Sequence, residues 1–290
     1  MTDIYEVMRM NILSPMILAF ALGIIVTIVK SDLRIPDQIY SFISIYLLFS
    51  IGLEGGFSLS EASITDFIGP ALAAIAIGAF IPLWSYNALR RFGRLDVANA
   101  IAVAIHFGGV SSVTLSAAMT FLNDMNYGFE GFMPTLYVIM ELPAFFVALV
   151  LATRYLGTQT QGLGEVVRTT LTGKTFLLLG GGVIIGLLSG ETGQARVEPF
   201  FLDLFPGVLT LFMLQMGVMV GGRLEEIRTV HPAVFAYALI APLIHATLGV
   251  VLGTLVGLSP GGAFILATLA SSASYISAPA LVQTNLPQAN

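Results

Sequence analysis

Apolar residues run along this chain in long unbroken blocks. They do not alternate strictly, as on a half-buried strand, nor recur every third or fourth position, as on a surface helix. A helix needs roughly 20 apolar residues to cross the hydrocarbon core of a bilayer, about 30 Å thick, and blocks of that kind recur. They predict nine membrane-spanning helices, near residues 12–29, 38–60, 67–89, 95–122, 131–156, 174–190, 200–222, 231–256 and 258–282. Strands of a transmembrane barrel would alternate over roughly ten residues, and these blocks do not. The expected fold class is an all-α polytopic membrane protein. Short links join the spans. The longest, GTQTQGLGEVVRTTLTG from Gly157 to Gly173, is polar and divides the chain near its middle.

The fourth block carries an interruption, HFGGVSSVT at residues 106–114. Glycine is poor in helix interiors, so Gly108 and Gly109 lower the cost of leaving helical geometry. Ser111, Ser112 and Thr114 can cap a restarting helix and bond the freed backbone groups. Irregular backbone at membrane depth is tolerated only where protein or a water-filled cavity satisfies it. The ninth block has a counterpart in Ser271, Ser272, Ser274 and Ser277, closed by Pro279.

These interruptions belong to an internal repeat. SIGLEGG ends the second span and QMGVMVGG the seventh, so Gly55-Gly56 match Gly221-Gly222. FIPLW and LIAPL set Pro82 against Pro242, in spans three and eight. GGVSSVT and LASSASY set Ser111-Ser112 against Ser271-Ser272. Five spans, an odd number, separate each pair, so the halves are expected in opposite orientations, the inverted plan of secondary transporters. Residues 1–156 form the first repeat with five helices, 157–173 a cytoplasmic linker, and 174–290 a second repeat with four. Symmetry leads us to expect a tenth span, through truncation of a ten-span protein or as a natural nine-span variant.

Charge supplies the orientation. Arg9 and Arg196 fall in links on the side of the N-terminus. The opposite links hold Lys30, Arg34, Arg90, Arg91, Arg94, Arg154, Arg168, Lys174, Arg223 and Arg228. The positive-inside rule puts that second side in the cytoplasm and the N-terminus outside. The N-terminus lacks the basic start and small-residue cleavage site of a signal peptide. Composition agrees: 56% of the 290 residues are hydrophobic and 10% charged, against about a quarter charged in soluble domains. Mean hydropathy is +0.90.

With no cysteine and only His106, His231 and His245, the chain offers no thiolate site and no histidine metal motif. It has no Walker motif, no nucleophile–base pair and no basic patch with interleaved aromatics, so neither ATP-driven pumping, enzymatic catalysis nor nucleic-acid binding is expected. No cofactor is expected beyond Na⁺ as a coupling ion.

The chemistry expected at the interruptions follows from helix ends. Each restarting half-helix presents about half a positive charge and free N–H groups at its N-terminus. In inverted repeats two such ends face one centre. Carbonyl ends and hydroxyls are hard oxygen ligands for a small cation such as Na⁺. Without buried Arg or Lys the site suits a small monoanion better than a di- or tricarboxylate. Glycine, serine and threonine also serve close helix packing. That reading competes evenly for either motif alone and fades when both fall at matched positions. Glu141, in MELPAF, reads equally as a cation ligand or proton carrier and as a partner for backbone freed by Pro143. Glu54 reads as an interfacial carboxylate, His106 and His245 as hydrogen-bonded structural histidines, and the glycine pairs as packing or bend positions.

SIGLEGG, GGVSSVT, MELPAF and SSASYISAPA resemble the signature stretches of the sodium-dependent bicarbonate symporters of cyanobacteria and related bacterial permeases. The resemblance implies ten helices in two inverted five-helix repeats, a gate and a core domain, a homo-oligomer (often a trimer), and a bacterial inner-membrane location. It implies bicarbonate and Na⁺ between crossed half-helices. Gly109, Ser111, Ser112, Thr114, Ser271, Ser272 and Ser274 match the binding motifs. Ser112, Thr114, Ser272 and Ser274, with Glu141, are the candidates for Na⁺. A PII-like cytoplasmic regulator is a candidate partner, and membrane lipid an obligatory one. The chain departs from the family at Glu54, where lysine is common, in its short Gly157–Gly173 link and in the missing tenth helix. The function expected is Na⁺-dependent bicarbonate uptake. The alternatives are a Na⁺- or H⁺-coupled carrier of another small monoanion such as a monocarboxylate, a proton-coupled exchanger using Glu141, and a channel or membrane receptor.

Overall fold

A computed structural model describes residues 9, 12–61, 63–156, 164, 168, 171–275, 278, 281–282, 286 and 289. Among these residues every regular element is helical and none is a strand. In chain order they are α1 (Pro15–Ile28), α2 (Asp37–Glu61), α3 (Ile64–Arg91), α4 (Val97–Gly108), α5 (Ser112–Asp124), α6 (Met133–Leu156), α7 (Lys174–Phe201), α8 (Phe205–Gly221), a 3₁₀ turn (Leu224–Thr229), α9 (Pro232–Leu255) and α10 (Pro260–Ser271).

Among the described residues six stretches have the length and hydropathy to cross a membrane: Asp37–Ser60, Thr65–Arg91, Val97–Asp124, Met133–Leu156, Phe176–Phe201 and Pro232–Leu255. The third of these takes α4 and α5 together. The other three expected spans correspond to shorter apolar helices, Pro15–Ile28, Phe205–Gly221 and Pro260–Ser271. The chemistry at their ends sets two of these limits. α1 starts where Ser14 Oγ accepts from the Ile17 N–H and Pro15 takes the first position, which needs no donor. α10 stops at Ser272, where the backbone turns extended. The sixth block instead extends beyond its expected end at residue 190. α7 reaches Phe201 by bending at Gly190, whose φ of 54° and ψ of −156° suit glycine alone. Arg196, expected in a link, is therefore helical.

The chain divides into two compact units, Met1–Ser50 with Ala195–Val230, and Ile51–Gln194 with His231–Asn290. Small residues set helix approach in each. In the first unit, Gly23 of α1 lies against the Leu214 carbonyl and Gly217 of α8 against the Phe20 carbonyl; a Cβ on either would collide with backbone. Thr27 Oγ1 crosses the same seam to donate to the Val218 carbonyl at 3.2 Å. The Tyr46 hydroxyl donates to the Phe200 carbonyl, and Phe201 stacks on the Tyr46 ring. In the second unit, Gly52 and Gly56 of α2 meet Gly182 and Gly186 of α7. Spacing of four on both partners is the small-residue crossing that lets membrane helices touch backbone to backbone. Gly56 and Gly221 thus serve packing, as the sequence reading held, with Gly221 against Thr27. Between α3 and α6, Gly78 rests on the Met140 carbonyl.

Replacing Gly217 by Leu forces α8 off α1, an overpacking cost of about 1–3 kcal/mol. The expected outcome is a lowered unfolding midpoint in detergent. Gly207→Ala, at a position with open space around it, is expected to leave the midpoint nearly unchanged.

Candidate functional site

The second unit holds both interruptions. α4 begins at an Asp96 cap, whose carboxylate accepts from the Asn99 backbone N–H at 3.0 Å and from its side-chain amide at 2.6 Å. These bonds, the backbone one foremost, hold the Asp96 carboxyl below its ordinary range. At the far end Gly109 leaves helical geometry with φ −74° and ψ 160°, its N–H still donating to the Ile105 carbonyl at 2.9 Å. Extended Ser111 then caps α5, its Oγ accepting from the Thr114 N–H at 3.2 Å. One apolar block has become two half-helices.

The second interruption follows the same logic. Ser272, at φ −79° and ψ 176°, ends α10. Ser274 Oγ accepts from the Ala278 N–H at 3.2 Å, and Ala278, Leu281 and Val282 are helical. Ser277 and Pro279 lie outside the described residues.

The two interruptions meet. The Ser111 N–H donates to Ser272 Oγ at 3.0 Å, and the Ser274 N–H donates to the His106 carbonyl at 2.8 Å. A Cβ on Gly109 would stand 2.6 Å from the Ser274 Cβ and 3.1 Å from the Phe145 ring, so only glycine admits this approach. Ser111, Ser112, Ser272 and Ser274 are all buried. Ser272 Oγ spends its own proton on the Leu269 carbonyl at 2.8 Å, which orients it as an acceptor for Ser111.

Not every expected residue joins this contact. Ser271 Oγ turns back to the Thr268 carbonyl of its own helix at 3.1 Å. Thr114 lies on the first turn of α5, half-buried, and its N–H donates to Ser111 Oγ. Glu141 is buried in α6. One turn before it stands Tyr137, absent from the sequence reading. Its hydroxyl donates to the Val110 carbonyl at 3.5 Å, between Gly109 and Ser111. Its spacing of four from Glu141 puts both on one helix face, the signal that could have found it.

His106 and His245 are both hydrogen-bonded, as expected. His106 Nδ1 lies 2.7 Å from the Ala102 carbonyl, and His245 Nε2 accepts from the Trp84 indole N–H at 2.9 Å. The Tyr237 hydroxyl donates to Ser85 Oγ, giving α3 and α9 a second polar tie. No lysine or arginine occurs between Arg94 and Arg154 or after Arg228, so helix ends and hydroxyls set the polarity of the crossing. Among the described residues no group of three His, Asp or Glu is placed to hold a metal ion.

A family model of the Na⁺-dependent bicarbonate transporter superfamily matches residues 15–290, both interruptions included. The chain belongs to this superfamily. No curated protein matches it. The superfamily is one of transporters, not of enzymes, and its membership agrees with six helical stretches able to cross a membrane.

Ser272→Ala removes the acceptor of a buried N–H and is expected to cost about 1–3 kcal/mol in detergent unfolding. Ser271→Ala, whose hydroxyl serves only its own helix, should cost less. Since the Asp96 carboxyl is depressed in the folded chain, its cap is at full strength above the ordinary carboxylate range and is lost as pH falls through the depressed value. Asp96→Ala is therefore expected to lower the unfolding midpoint at neutral pH and to narrow its difference from the parent in acid.

Proposed function

We propose that this protein is a secondary active symporter that carries bicarbonate into the cell with Na⁺. The observation that carries the reading is the mutual bonding of the two helix interruptions through Ser111, Ser272, Ser274 and the His106 carbonyl. Interrupted helices meeting inside a transporter are where substrate and coupling ion bind in inverted-repeat carriers. Superfamily membership supports the substrate and the ion.

In this reading Gly109, Ser111, Ser112, Thr114, Ser272 and Ser274 surround the anion, with Ser271 beside them at the end of α10. Backbone N–H groups at the start of α5 face its oxygens, as helix N-termini face anions elsewhere. Hydroxyls of Ser112, Thr114, Ser272 and Ser274, carbonyls freed at the interruptions, and Glu141 supply oxygen ligands for Na⁺. With no cationic side chain in these segments, one unit of negative charge is what the helix ends can balance. The unit bearing the interruptions then exposes the site to each membrane face in turn.

An inverted repeat underlies the reading. Pro82 lies inside α3 and Pro242 inside α9, and each is followed by an interrupted segment. The division into units also draws a segment from each half of the chain. The first unit takes α1 with the start of α2, and the end of α7 with α8. The N-terminus lies outside, and the cation-rich links face the cytoplasm of a bacterial cell. A trimer and a PII-like regulator are the expected assembly partners.

Uptake of labelled bicarbonate into proteoliposomes tests the reading. Uptake is expected to rise at least about tenfold with an inward Na⁺ gradient, and Ser112→Ala to raise the apparent KM for bicarbonate or Na⁺. Transport indifferent to Na⁺ and unaltered by Ser112→Ala overturns the proposal. Preferential inhibition by a monocarboxylate such as pyruvate would reassign the substrate on the same site.

A further inference from the structure

The link between α5 and α6 carries a carboxylate that the transport reading does not use. Glu130 Oε1 accepts from the Ser259 N–H at 2.5 Å, and its Oε2 accepts from the Ser259 hydroxyl at 3.1 Å. Ser259 is the N-cap of α10, with its Oγ accepting from the Gly262 N–H at 3.1 Å. The backbone closes around this contact. A Cβ on Gly262 would strike Glu130 Oε2, and one on Gly261 would strike the Gly128 carbonyl. An acidic side chain from a separate link thus completes the cap of a half-helix, where its charge also complements the helix dipole.

The position of that half-helix gives the contact its meaning. α10 ends at Ser272, the acceptor for the Ser111 N–H at the start of α5. The Glu130 link follows the end of α5. Near that end Phe121 of α5 meets Phe264, one turn into α10, with ring centroids 5.8 Å apart. The half-helices α5 and α10 therefore run antiparallel and are tied twice, at the interruption by Ser111 and Ser272, and at the rim by Glu130 and Ser259. One helical turn lifts an element by 5.4 Å, so a small slide of α10 would take Ser272 out of reach of Ser111.

The geometry points to Glu130 as a positioning residue that fixes the height of α10 and so keeps both interruptions in register. It acts through Ser259 and touches neither substrate nor ion. The inference rests on the transport reading only for its kinetic consequence; the register itself can be read without any substrate.

Two measurements test it. The chain has no cysteine, so Ser111→Cys combined with Ser272→Cys reports the register by the yield of disulfide under a membrane-permeant oxidant. The yield is expected to fall several-fold when Glu130→Ala is added. Glu130→Gln, which keeps an acceptor oxygen, should restore part of it and covers the case in which the alanine variant fails to fold. In the cysteine-free parent, Glu130→Ala should raise the bicarbonate KM about fivefold to thirtyfold, the size of a change worth one to two kcal/mol, while Vmax per folded protein stays within about twofold. A purely structural loss would lower the amount of folded protein and Vmax and leave KM alone. Equal disulfide yield with Glu130 intact, with Glu130→Gln and with Glu130→Ala overturns the inference, whatever the chain transports. An unchanged KM beside a reduced yield also overturns it, because the register would then not serve binding. A parent that carries no bicarbonate, beside a disulfide yield that depends on Glu130, sinks the transport reading and leaves the positioning role standing.

Discussion

A peptide group left without a partner in hydrocarbon loses several kcal/mol, and every irregular residue in a membrane helix raises that demand. In this chain the demand is met by setting two interruptions against each other. Leaving the helix at Gly109 exposes the N–H of Ser111 and the carbonyl of His106. Leaving it at Ser272 exposes the N–H of Ser274 and turns a hydroxyl inward. The Ser111 N–H finds the Ser272 hydroxyl and the Ser274 N–H finds the His106 carbonyl. Each interruption supplies what the other lacks. Neither would be tolerable alone at that depth, which ties the two segments more firmly than apolar contact between helices could, since lipid competes for apolar surface.

Such an arrangement needs backbones to come close, and the distribution of glycine follows from that need. Gly109 admits Ser274, Gly108 lies against Pro82, and Gly249 lies against Ala267. Elsewhere Gly52 and Gly56 meet Gly182 and Gly186, and Gly23 meets the backbone of α8. Where the contact is polar the chain uses hydroxyls, which reach only a few ångströms and so work only between helices already close. The Tyr237–Ser85 pair carries the same rule to α3 and α9, which the Trp84 indole N–H also joins by donating to His245. Close approach and short polar ties are one design: the glycines create the distance at which serine can bond.

How much of this was legible in the sequence depends on whether the signal was local. The all-helical class came from apolar blocks, and the interruptions came from glycine and serine falling within one block. Both are local, and both appear in the structure at the expected residues. The ends of the helices were less legible. The bend at Gly190 lets α7 run on to Phe201, past a polar stretch that read as a link and that includes Arg196. A polar stretch can stay helical when its side chains face water, and hydropathy alone does not reveal that. Tyr137 and Glu130 were missed for a different reason. Their importance comes from contacts with Val110 and Ser259, far away in the chain, and a tyrosine in an apolar block or a glutamate in a link has nothing unusual about it before the fold places it. Ser271 illustrates the converse. Its repeat-matched position marked it, yet its hydroxyl bonds within its own helix, because neighbouring serines at a helix end point to different sides and cannot all face one partner.

The chemistry of the crossing also bears on the symport proposed for it. A pocket walled by arginine would hold an anion firmly whether or not a cation was present, and release would be slow. Helix ends and hydroxyls carry only partial charges, and the segments that form this crossing contain no lysine or arginine. An anion entering alone would be held weakly, and so would Na⁺ facing a few carbonyl and hydroxyl oxygens. Together they neutralise each other in a medium of low dielectric, where attraction between opposite charges is many times stronger than in water. Mutual dependence of binding then requires no moving part. Under the proposed transport reading it follows from lining the crossing with backbone groups and hydroxyls and no cationic side chain, with Glu141 the one carboxylate put forward for Na⁺.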